Sequence, residues 1–100
     1  MTRQRYRLIE ELVAGMHPGA GVLSVTECRP RPAAWPVNDL LQQAVVVTGR
    51  TDEGGGCGLL RVQFVKAAAG GREQVTVVER YAPHYSEHDA LRFALQLHGW

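Results

Sequence analysis

Long apolar runs, lysines and paired cysteines are all scarce in this 100-residue chain. The longest uninterrupted apolar run in a strand-like segment is Ala44 to Val47, far short of the roughly 20 residues that cross a bilayer as a helix. No membrane partner is therefore expected. Cys28 and Cys57 stand far apart, with no C-x-x-C pair, so neither a disulfide framework nor a thiolate-seeded metal site is indicated. Free buried thiols in a cytoplasmic, bacterial protein are the expectation. Lys66 is the sole lysine, which removes the cation that a Walker phosphate loop requires. Ser24 and Ser86 are the only serines, and neither stands in a nucleophile elbow. The net charge is +1, so no global field favours nucleic acid or an anionic surface.

What the chain has in ordinary measure is apolar residues, at 45%, against 21% charged, a composition that folds rather than staying disordered. A chain of this length buries roughly two-thirds of its unfolded surface. A single domain over residues 1–100 is expected. The arginines Arg3, Arg5 and Arg7 resemble the start of a signal peptide, but Glu10 and Glu11 fall where its apolar segment would have to be. The segment reads instead as a helix.

That helix is expected from about Arg3 to Gly15, with Tyr6, Ile9, Val13 and Met16 recurring at helical spacing and His17-Pro18-Gly19 stopping it. A strand follows over 21–28. Three prolines between Pro30 and Pro36 lack amide donors and force an irregular loop, and residues 37–43 form a helical turn or lead into the next strand. Strands are predicted over 44–50, 58–66 and 73–81. Glycine-rich turns between them favour antiparallel hairpins. Pro83 should end the last strand, and Ser86 with Asp89 resembles a capping box opening a final helix. The fold class is thus α+β: an antiparallel sheet of about four strands, flanked by an N-terminal and a C-terminal helix in the order α-β-β-β-β-α, with both helices on one face. Leu95 is expected to lie beneath that sheet.

Motif searches return little chemistry. Gly56-Cys57-Gly58-Leu59-Leu60-Arg61 begins like a dinucleotide fingerprint but ends on arginine and enters a strand, not a helix. His84 and His88 are four apart, yet the expected cap at Ser86 leaves His84 outside the helix. Nothing in the sequence brings either histidine to Cys57, where a nucleophilic thiolate would need such a neighbour. Glu10 and Glu11 point about 100° apart on a helix and cannot face each other as acid and base. No catalytic residue, no cofactor-binding residue and no metal ligand is therefore assigned, and no cofactor is expected.

The informative feature is an apolar surplus. Leu60, Val62, Phe64, Val75 and Val77, whose face Tyr81 shares, suffice to pack on the helices, while Leu59, Val65 and Val78, with Val46 as a further candidate, remain on the other face. An uncovered patch of that kind marks an interface. The expectation is a small non-catalytic interaction or accessory module, self-associating as a homodimer or binding a protein partner through Leu59, Arg61, Val65, Val78 and Arg80. The competing explanation of the surplus is that the proline loop and Trp35 fold over this face. A nucleic-acid-binding module using Arg3, Arg5, Arg7, Arg29 and Arg31 is the alternative. A small metal- or ligand-binding protein or enzyme is the third.

Overall fold

A computed structural model of the chain describes residues 1–28, 40–52, 55–66, 71–84 and 86–98, with the side chains of 40, 41, 82–84 and 98 outside that description. The elements are α1 (Arg3–Met16), β1 (Val22–Cys28), β2 (Leu40–Arg50), β3 (Cys57–Lys66), β4 (Glu73–His84) and α2 (Glu87–His98). The four strands form one antiparallel meander in the order β1-β2-β3-β4. The predicted class and element order are therefore present, and residues 40–43 belong to a strand.

Each helix starts on a side-chain cap. The Thr2 hydroxyl accepts from the Arg5 amide at 3.2 Å, and the Ser86 hydroxyl accepts from the Asp89 amide at 3.0 Å, each satisfying one of the orphan donors of a first turn. α1 stops as Gly19 and Gly21 take positive φ, a backbone that only glycine adopts without strain. The turn they make lies against β2: the Gly49 amide donates to the Gly21 carbonyl at 3.1 Å, and a Cβ on Gly49 would run into the Ala20 carbonyl oxygen.

The helices cover opposite faces of the sheet. Ile9 and Val13 of α1 pack with Ala44, Val46, Leu60, Val62 and Phe64. Ala90, Ala94 and Leu97 of α2 pack with the alternate residues Val45, Val47, Cys57 and Leu59. The expectation of both helices on one face is thus corrected. The physical reason is that β2 and β3 are apolar on both sides of the pleat, and a single helix stripe can close only one side. Of the surplus assigned to a partner, Leu59 belongs to the seat of α2.

Leu95 is corrected as well. It is 67% exposed, because α2 turns its Ala90-Ala94-Leu97 stripe inward and Leu95 outward. β4 differs from its expected form in two ways. It continues through Pro83 to His84, a position that proline tolerates on an edge strand. It also carries a bulge: Glu79 lies opposite Arg61 and Val77 opposite Val62, leaving Val78 as the extra residue. The bulge switches the faces, so Val75 and Val77 face α1 whereas Tyr81 packs on the side of α2. Tyr81 and Val77 do not share a face, as simple alternation had implied.

Candidate functional site

The residues predicted to form one interaction face are divided by the fold. Leu59 and Arg61 are buried beneath α2. Val65 is half-buried, Val78 is 43% exposed at the bulge, and Arg80 is exposed and lies opposite Leu60 on the α1 side. A continuous patch with Arg61 and Arg80 as its rim does not form, because the bulge carries Arg80 to the other side of the sheet from Arg61.

Arg61 is instead the hub of the α2 side. Its Nη1 donates to Gln43 Oε1 at 3.0 Å and to Cys28 Sγ at 3.1 Å, and its Nη2 donates to the Leu97 carbonyl at 3.1 Å. Nε approaches the Tyr81 hydroxyl at 3.4 Å, and that hydroxyl donates to Glu79 Oε2 at 2.9 Å. Carried by β3, one guanidinium therefore reaches the other three strands and the last turn of α2. There a cation suits the negative end of the helix dipole and satisfies a carbonyl with no partner inside the helix. The planar fork with five donors is what makes arginine fit this position. Tyr81 is fixed further by an edge-on contact with Phe93, at 6.0 Å between centroids.

Arg5 makes the corresponding tie on the α1 side. It meets Glu73 through two bonds, Nε to Oε2 at 3.1 Å and Nη2 to Oε1 at 2.7 Å, donates Nη1 to Gln42 Oε1 at 3.0 Å, and lies 5.2 Å from the Phe64 ring centre. The hydrogen bonds from Arg5 hold the Glu73 carboxyl below the usual carboxylate range, and the same pairing raises the Arg5 guanidinium. Arg5 is thus occupied within the fold, while Arg3 and Arg7 are exposed on α1. Arg29 and Arg31 lie outside the described residues, as do Trp35 and the proline loop. Of the five arginines of the nucleic-acid alternative, Arg3, Arg5 and Arg7 are described, and Arg5 is engaged by Glu73 and Gln42.

Cys28 and Cys57 are both buried and free of disulfides. A cavity of about 60 Å³ near Arg80 is lined by His17, Thr51, Gly58 and Tyr81 among others. It is far smaller than the roughly 300–1,000 Å³ of sites for small-molecule cofactors, although it has room for ordered water.

Among the described residues the sheet also has two edges. β1 and β4 are the outer strands. β1 spans seven residues and its pairing with β2 is irregular between Val22 and Ser24. β4 spans twelve residues, and among the described residues its one strand neighbour is β3. Along it Gln74, Thr76, Val78 and Arg80 are exposed. Sequence reasoning found Val78 and Arg80 but missed Gln74 and Thr76, since the position of an edge follows from strand order and not from local pattern. Comparison with protein-family models, curated proteins and solved structures finds no match to this chain.

Proposed function

We propose that this chain is a non-catalytic protein-interaction module that self-associates by adding a strand to its sheet at β4. The observation that carries this reading is that β4 has no strand on its outer side among the described residues, with Val78 exposed at its middle. Edge strands present unpaired amides and carbonyls in a row, and a long one is a template for another strand. The helices already cover the central apolar strips of both sheet faces, so association through the face of Leu59 and Arg61 is replaced by association through the edge. Backbone pairing supplies affinity in such joints, and the side chains at alternate positions supply specificity.

Native mass spectrometry across a concentration series tests the reading. The wild-type chain is expected to give a dimer that Val78→Lys converts to a folded monomer, because a lysine on an edge opposes further pairing. A wild-type chain that stays monomeric throughout contradicts it, and so does a dimer indifferent to Val78→Lys.

A further inference from the structure

Self-association through β4 can follow two geometries. Pairing β4 of one copy with β1 of the next is head-to-tail and grows without closing, whereas pairing β4 with β4 about a two-fold axis closes at two copies. From the self-complementarity of the strand we infer that the joint is the closed one, β4 antiparallel to the second copy's β4, with the axis at Thr76. This rests on the reading of the β4 edge given above.

The bulge sets the register. On its inner side β4 already places two residues, Val77 and Val78, in the space that Val62 of β3 leaves for one. On its outer side the same pair can stand opposite a single residue of an incoming strand. With Thr76 facing its own mate, Val75 lies opposite that Val77–Val78 pair, Gln74 opposite Glu79, and Glu73 opposite Arg80, each repeated by symmetry. Every such pair keeps its two side chains on the same side of the sheet, as antiparallel pairing demands.

The chemistry is favourable at three of these four kinds of pair. Threonine opposite threonine and valine opposite valine are stabilising cross-strand pairs, and glutamate opposite arginine is a charge match. Val78, the exposed apolar residue of the strand, is covered. Glu73 has capacity for a second cation: Arg5 takes one bond at each oxygen, and a carboxylate offers about four acceptor sites. Centres further along the strand are worse. An axis at Glu79 or at Arg80 sets like charges opposite each other, and an axis nearer the strand's end draws Pro83, which has no amide donor, into the ladder. A bulge ordinarily turns an edge away from pairing, but two copies of this one accommodate each other.

Cysteine crosslinking of the full chain tests the inference. Directly opposite Cβ atoms are about 4.5–5.5 Å apart, within disulfide reach after a small adjustment, so Thr76→Cys should convert to a covalent dimer under mild oxidation. Gln74→Cys should not, because its mate lies roughly 14 Å away. Cys28 and Cys57 are buried and should not link copies. Arg80→Glu should weaken the wild-type dimer roughly tenfold, as two like-charged pairs replace two matched ones. A dimer that Val78→Lys dissociates, but that links through Gln74→Cys and not through Thr76→Cys, overturns this register while leaving the edge reading in place. An open series of oligomers overturns the closed geometry in the same way. A monomer at all concentrations overturns both.

Discussion

The two faces of the sheet are closed by helices of similar length, yet they are built on different principles. On the α1 side the contact is apolar to its centre, with Ile9 and Val13 set on Val46, Val62 and Phe64, and its polar tie, Arg5 to Glu73, lies at the rim where both side chains are about a fifth exposed. On the α2 side the helix contributes small residues, Ala90 and Ala94, and the polar tie is at the centre: Arg61 is fully buried. The contrast shows how a sheet with two apolar faces can still hold each helix in one place. Beside Leu97, Leu91 and Phe93, the two alanines of this stripe gain little from side-chain interdigitation. There a buried guanidinium bonded to Gln43, Cys28 and Leu97 fixes where α2 ends.

The largest effect on the α2 side is expected from Arg61→Ala. It leaves Gln43 and the Leu97 carbonyl buried with fewer partners and opens a cavity, so urea denaturation should show a loss of about 3–5 kcal/mol. A loss below about 1 kcal/mol would mean that α2 is held by apolar contact alone. Leu97→Ala follows, with about 2–5 kcal/mol for a buried leucine, whereas Leu95→Ala should stay within about 0.5 kcal/mol as a surface change. Equal costs at the two positions would mean that α2 presents a different stripe to the sheet.

The rim tie should matter least. Glu73→Gln is expected to cost no more than about 1 kcal/mol, since the pair is partly solvated. Its pH dependence has a definite sign. Because the Glu73 carboxyl is held low in the folded chain, its contribution is full above the ordinary carboxylate pKa of about 4.3 and is lost as the pH falls through the lowered value. The stability difference between wild type and Glu73→Gln should therefore vanish in strong acid. A difference that persists there would assign the effect to packing.

Much of this fold was legible in the sequence. The period of Tyr6, Ile9 and Val13 marks α1, and the glycine-rich turns separate three strands. The face of each helix was not legible. Ala44 to Val47, with Leu59 and Leu60, records that both sides of the strands are apolar, but a run of that kind is the same whether a second helix or a second molecule covers it. The bulge was hidden because Val75, Val77 and Glu79 alternate without a break in sequence, and the switch of faces exists only in the pairing with Arg61 and Val62. Arg61 itself reads as a surface residue, because the groups that satisfy it are brought from distant positions by the fold.

With each face holding a helix of its own, the proposed association uses the β4 edge. Amide hydrogen exchange followed across a range of protein concentration tests this most directly. Protection is expected to rise with concentration in residues 73–80 of β4 while β1 is unchanged. Protection that rises at β1, or on the exposed surfaces of α1 and α2 with β4 unchanged, would contradict it.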